Sequence, residues 1–347
     1  MRWLRCGLVA VSLLTAGRGL AMFRAADLVV VPVGAALPGL HDSNWRTDLE
    51  IVNVDTEAID VEIVFLPTGG SSNLAWYLNM DNHLGGRSED KFGHIDAKLK
   101  DIGAGASVVL EDVVRTTWGE NLKGALLVFA FKAGSFQSTT PHGGTPKLAV
   151  VNSRTYDLGT TADSTPTTYG QGIPGIPWYF YVDPSQQAKG LNLVTFSGFR
   201  EDASYRTAIG MVNISDPTTV LSVHATLVAS DGTQLAEAWE TLGPLAHRQW
   251  DNAAQSLFGL ADGVTVAGAT VSVSVASWQS TGAEPTPALI VYGSRVDNTT
   301  NDPTYLEQAF EVEFPWDCVF NGNCTSAKAF TSTPAAAHRR PLRPPQR

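Results

Sequence analysis

Several groupings in this chain are of residue types that do chemistry. Glu111 and Asp112 are adjacent carboxylates, and two carboxyl groups held ~5 to 9.5 Å apart across a cleft can hydrolyse a glycosidic bond. An acid and an amide recur as Asp251-Asn252, which fits a helix cap repeated in two places better than one active site. His83 and His94 are the closest candidate metal pair, and the run from Asn79 to Lys91 gathers oxygen donors that a calcium ion accepts. The run lacks the spacing of an EF-hand loop, so it reads as an acidic loop, and no metal or other cofactor is expected. Gly170-Gln171-Gly172-Ile173-Pro174-Gly175 matches Gly-x-Gly-x-x-Gly, but Pro174 and Pro177 fall where a nucleotide-binding helix has to begin and continue. It reads as a turn-rich loop. Gly-x-Ser-x-Gly, His-Glu-x-x-His and the Gly-x-x-x-x-Gly-Lys phosphate loop do not occur, which removes the common hydrolase, metalloprotease and phosphate-loop chemistries. No catalytic residue is assigned, and the chain is expected to be a non-catalytic binding or structural protein; the alternative is an enzyme that acts on extracellular polysaccharide through an acid pair on a β scaffold.

Recognition has better candidates. Trp76-Tyr77, and Trp178 with Tyr179 and Tyr181 in a run of four aromatics, could present flat apolar faces with polar tips to a sugar or a protein surface. The alternative is that these rings pack between domains. In an extended segment Trp178 and Phe180 would point one way and Tyr179 and Tyr181 the other. Cys318 and Cys324 enclose an Asn-Gly turn signal and read as a local disulfide in an oxidising compartment.

The elements that must position these residues come in two sets. Trp45-Arg46-Thr47 followed by Asn53 is matched by Tyr205-Arg206-Thr207 followed by Asn213; Glu111-Asp112 before Trp118-Gly119 is matched by Asp251-Asn252 before Phe258-Gly259; and Ser153-Arg154 is matched by Ser294-Arg295. The order is kept, so an internal duplication is expected. Arg46, Arg206, Arg154 and Arg295 then recur once per copy, as structural guanidinium bridges at strand ends. The first copy is longer by 20 residues between the first and second blocks, an insertion at about 72–98. Alternation in Ile59-Asp60-Val61-Glu62-Ile63 and Leu221-Ser222-Val223-His224-Ala225 predicts strands with one buried face. Further strands are expected at 28–33, 47–54, 126–131, 147–157, 208–214, 269–276 and 289–296, a hairpin at Asp231-Gly232, and one short helix per copy, the first ending at Gly119.

The fold class read from this pattern is all-β: two tandem antiparallel β-sandwich (Ig-like) domains at 27–177 and 191–313, joined by a Pro- and aromatic-rich connection at 178–190. Residues 1–21 carry Arg2 and Arg5, a short apolar run and small residues before a cleavage point, the form of a signal peptide. A secreted or periplasmic protein with no membrane insertion is expected. The formal charge of −10 conceals an asymmetry: residues 22–324 hold 16 of the 24 basic residues and all 34 acids, a body of −18, and the basic segment at the C-terminal end holds no acid. Such a body disfavours nucleic acid as a partner, and leaves a carbohydrate or a protein surface. The end of the chain, 314–347, reads as a disulfide hairpin followed by a disordered basic tail.

The signatures Asn44-Trp45-Arg46-Thr47-Asp48-Leu49 with Asn53, and Ser153-Arg154-Thr155-Tyr156 leading to Thr168-Tyr169-Gly170-Gln171-Gly172-Ile173-Pro174, resemble those of secreted bacterial proteins with tandem β-sandwich domains. The resemblance implies export and the fold and carries no activity.

Overall fold

The computed structural model describes residues 25–86, 93–135, 144–160, 166–189, 191–282 and 286–310. The segment read as an export signal, the Cys318–Cys324 pair, the basic tail and part of the acidic run lie outside the described residues. What is described is all-β, with three short α-helices among the described residues. The first half contains β1 (Leu28–Pro38), β2 (Asn44–Asn53), β3 (Ile59–Pro67), α1 (Leu74–Leu78), β4 (His83–Gly85), β5 (His94–Ile95), β6 (Ser107–Leu110), α2 (Val113–Trp118), β7 (Leu122–Lys132), β8 (Ala149–Thr160), β9 (Pro166–Pro174) and β10 (Ile176–Pro177). The second contains β11 (Leu193–Glu201), β12 (Tyr205–Asn213), β13 (Val220–Val228), β14 (Gln234–Leu242), β15 (His247–Trp250), α3 (Ala253–Ser256), β16 (Val266–Gln279), β17 (Leu289–Asp297), β18 (Pro303–Leu306) and β19 (Ala309–Phe310).

The second half forms two antiparallel sheets, β14-β13-β16-β11-β19 and β15-β12-β17-β18. The first half forms one path, β5-β4-β3-β7-β1-β2-β8-β9, with β6 on β2 and β10 on β1. Its two strips are joined where Leu37 pairs with Trp45 and Pro38 with Asn44, and again by a bridge between Ala26 and Ala149. Registers run alongside one another. Leu49 pairs with Leu110 as Ile209 pairs with Trp250, and Val29 pairs with Pro177 as Val194 pairs with Phe310. A bulge interrupts β1 between Val31 and Gly34, and another interrupts β11 between Phe196 and Phe199.

Two side-chain devices hold the same places in both halves. Asn53 donates its amide to the carbonyls of Glu57 and Ile102 and accepts from the Asp55 N–H, while Asn213 donates to Thr219, Leu242 and Gly243 and accepts from Ser215. Both are fully buried, so each amide closes a loop whose carbonyls would otherwise be unpaired. Thr47 Oγ1 accepts from the Ala35 N–H at 2.8 Å and Thr207 Oγ1 from the Arg200 N–H at 3.1 Å.

One repeat match has to be corrected. Trp45 pairs with Asp157 as Tyr205 pairs with Asp297, which places Arg46 opposite Tyr156 and Arg206 opposite Val296. In that register Arg154 corresponds to Ser294, not to Arg295. A shift of one residue reverses the face. Arg154 is therefore exposed, its guanidinium 5.0 Å above the Tyr156 ring, whereas Arg295 is half-buried beside Tyr205 with Nη1 3.4 Å from the Gly198 carbonyl. The two buried arginines do match: Arg46 contacts Asp112 and Asn44, and Arg206 contacts Asn298 and Asn301.

The expected alternation of buried and open faces holds in β13 but not in β3, where Ile59–Leu66 are all buried. Residues 73–86 and 93–101 account for the difference. They supply His83 to Glu62 and the Asp101 N–H to Asp60, and they place Tyr77 and Leu99 in the core. Nor is Gly170–Gly175 a loop: Gly170 and Gly172 belong to β9, which pairs with β8 opposite Tyr156 and Arg154. A Cβ on Gly170 would collide with Tyr156, so glycine lets the strands approach. The two expected helices occur as α2 and α3, but the first half holds α1 besides, and Gly119 closes α2 by donating to the carbonyls of Val114 and Arg115. Neither Asp112 nor Asn252 caps its helix through its side chain. The Asp112 carboxylate instead meets Arg46 and Arg115.

The halves share buried surface. The core of the first half continues into Val212, Ile214, Leu245, Ala288, Ile290 and Tyr292. The Asn73 side chain donates to the Leu245 carbonyl at 3.0 Å, Ser294 donates to Gln171 at 3.1 Å, and Lys123 meets Asp251 at 2.7 Å. Tyr292 lies against Gly210, where a Cβ would overlap its ring. Gly210→Ala is expected to push the Tyr292 ring out of place and to cost about 1 to 3 kcal/mol, measured by denaturant unfolding. An unchanged midpoint would show that the ring moves freely.

Candidate functional site

The aromatics singled out in the sequence do not form a binding strip. Tyr77, Trp178 and Tyr181 are buried, and Trp76 and Tyr179 are half-buried against the core. Trp178 donates its indole N–H to Asp27 at 2.8 Å. The connection is not extended here: the Phe180 N–H donates to the Pro177 carbonyl at 2.9 Å, and this turn sends Trp178 and Tyr181 inward together. His83 is spent on Glu62 and on the Tyr77 carbonyl, while His94 packs edge-on to Trp118. Among the described residues no cluster of three or more His, Cys, Asp or Glu could hold a metal. Glu111 lines a cleft, whereas Asp112 is engaged by two arginines, so the two do not act as a pair.

The exposed aromatic surface lies elsewhere. Trp239, on the edge strand β14, is 60% exposed, the largest exposure of any large hydrophobic residue among the described ones. It stands out because Ala238 and Leu242 take the inward positions of the strand, leaving Glu237, Trp239 and Thr241 on the outer face. Directly opposite on β13 is His224, whose ring stacks on the indole at 4.3 Å and 22°. Glu237 Oε2 lies 3.2 Å from His224 Nε2 and fixes the imidazole from the side.

The rungs continue across the sheet. His224 is followed by Ser274 and Leu193, and Thr226 by Ser272 and Thr195, with Thr195 and Ser272 hydroxyls 3.2 Å apart. Ser222 pairs with Thr241 on one side and Ser277 on the other. The result is a field of hydroxyls with one carboxylate, an imidazole and Leu193 on the same face as a supported indole. Such a surface can stack on an apolar ring face and exchange hydrogen bonds with the hydroxyls around it. In the first half the corresponding face of β3 is closed by residues 73–86 and 93–101. Strand alternation over 234–242 was the available sequence signal, since Ala236, Ala238 and Leu242 define an inward face and force Trp239 out.

Comparison of the chain with family models, with curated proteins and with solved structures gave no match. Among the described residues no helix is long and apolar enough to cross a membrane.

Proposed function

We propose that this chain is an exported, non-catalytic binding protein built from two β-sandwich units related by duplication, and that the second unit holds a neutral carbohydrate on the outer face of β14-β13-β16. The shared registers, the paired bulges and the Asn53 and Asn213 loop locks support the duplication. The units are placed at 27–177 and 191–313, and export rests on the form of residues 1–21. The observation that carries the binding reading is Trp239, an exposed indole stacked on His224 within a field of serine and threonine hydroxyls. A body of −18 with Glu237 on the face disfavours anionic polymers.

A glycan array followed by calorimetry on the mature chain tests it. Trp239→Ala is expected to lower affinity for the selected neutral glycan tenfold or more, about 1.4 kcal/mol, with the circular dichroism spectrum unchanged. An array with no neutral ligand, or equal affinity of the variant, contradicts the reading.

A further inference from the structure

The first half holds a cleft of about 400 Å³ between the inserted segment and α2. One wall is Leu84, Asp96 and Lys98; the other is Val109, Leu110, Glu111, Val113, Thr116 and Thr117. The first wall belongs to the region that makes the first half longer. Segments that correspond lie 160 residues apart at Val52 and Val212 but 140 apart at Ser107 and His247. The second half has no equivalent length of chain there with which to build this wall.

The cleft carries opposite charges, with Lys98 and Glu111 exposed at its mouth. Among the described residues the Lys98 ammonium and the Glu111 carboxylate have no ion-pair or hydrogen-bond partner. Asp96 accepts from the Lys98 backbone N–H at 2.9 Å and keeps its second oxygen. Thr116 is already bonded to the Asp112 carbonyl, and Thr117 offers a hydroxyl. Leu84, Leu110 and Val113 give an apolar floor. Among the described residues of the lining, two carboxylates and one ammonium sum to −1, which favours a ligand cation. Lys98 then asks for an anion on the same molecule.

From this we infer that the cleft binds a small zwitterion with an apolar body, of the class of free aliphatic amino acids. Its ammonium sits between Glu111 and Asp96, its carboxylate meets Lys98, and its side chain covers Leu84 and Val113. The volume falls within the range of small-molecule sites.

The probes are L-leucine, 4-methylpentanoate, which lacks the ammonium, and 3-methylbutylamine, which lacks the carboxylate. Each is titrated into the full mature chain and followed by methyl NMR at Leu84 and Val113. Leucine is expected to bind saturably and to shift those methyls, and each analogue to bind at least tenfold more weakly. Lys98→Met and Glu111→Gln are each expected to weaken leucine at least tenfold, and Trp239→Ala to leave it unchanged, which keeps this site distinguishable from the glycan face. Absence of saturable leucine binding, shifts confined to other methyls, an amine that binds as well as leucine, or variants that bind normally would each overturn it.

Discussion

Removing either member of the Glu62–His83 pair should destabilise the protein by about 3 to 5 kcal/mol, read from urea unfolding midpoints. Both side chains are buried, with His83 Nδ1 2.6 Å from Glu62 Oε1 and Nε2 2.8 Å from the Tyr77 carbonyl. A carbonyl can only accept, so Nε2 carries the hydrogen of that bond, and Nδ1 faces the carboxyl group. His83→Ala deprives a dry carboxyl group of that partner, and Glu62→Ala does the same to the imidazole. A double variant, Glu62→Met with His83→Leu, should cost clearly less than the two single changes added together, because it strands neither the carboxyl nor the imidazole and costs only the donor that His83 gives the Tyr77 carbonyl. Single variants that lose under 1 kcal/mol would show that water reaches the pair.

Acid should weaken the joint between the halves through His247. Its ring is buried among residues of both halves, and Tyr292 donates to Gln249 at 2.6 Å, so the phenol oxygen accepts from His247 Nε2 at 3.0 Å. Burial, with Lys123 nearby, lowers the imidazole to about 3 from its ordinary 6.5. Between those values the unfolded chain takes up a proton that the folded chain refuses. The His247 contribution is therefore complete above pH 6.5 and is lost as pH falls toward 3, by up to about 1.4 kcal/mol per unit.

Glu201 acts in the opposite sense. Burial raises its carboxyl to about 7 from 4.5, so the folded chain holds a proton that the unfolded chain releases, and stability is lost as pH rises through that window. Wild-type stability alone mixes the two, but variants separate them. The stability difference between wild type and His247→Gln should shift against the wild type as pH falls from 6.5 to 4. Glu201→Gln should gain on the wild type as pH rises from 5 to 7. Differences independent of pH would place both groups in contact with water.

The repeated polar signatures were legible because each does a framework task in both halves. Asn53 and Asn213 lock loops, Thr47 and Thr207 tie adjacent strands, and Arg46 and Arg206 fill matching places. Register was not legible to one residue. Ser-Arg at 153–154 and at 294–295 align as letters, and only the pairing of Asp157 and Asp297 with Trp45 and Tyr205 shows the slip.

Burial failed where an insertion intervened. Asp60 and Glu62 have the same local pattern as Ser222 and His224, but residues 73–86 and 93–101 cover them, and covering is a tertiary event that alternation cannot express. The aromatics failed for a similar reason. A run such as Trp178–Tyr181 is conspicuous in a sequence because it is apolar, and for that reason it is drawn inward. Trp239 stands on the outer face of a strand whose inward positions belong to Ala238 and Leu242, and on its own side it has no apolar layer to enter.

The glycan face is tested most directly by ¹H–¹⁵N spectra of the tryptophan indoles and ¹H–¹³C spectra of the histidine rings, recorded while the best neutral glycan from the array is added. The Trp239 indole and the His224 ring should shift together and saturate along one curve, with the buried Trp178 indole unmoved. Saturable binding that leaves Trp239 and His224 unshifted, or that moves Trp178 instead, would contradict the assignment of binding to the β14-β13-β16 face.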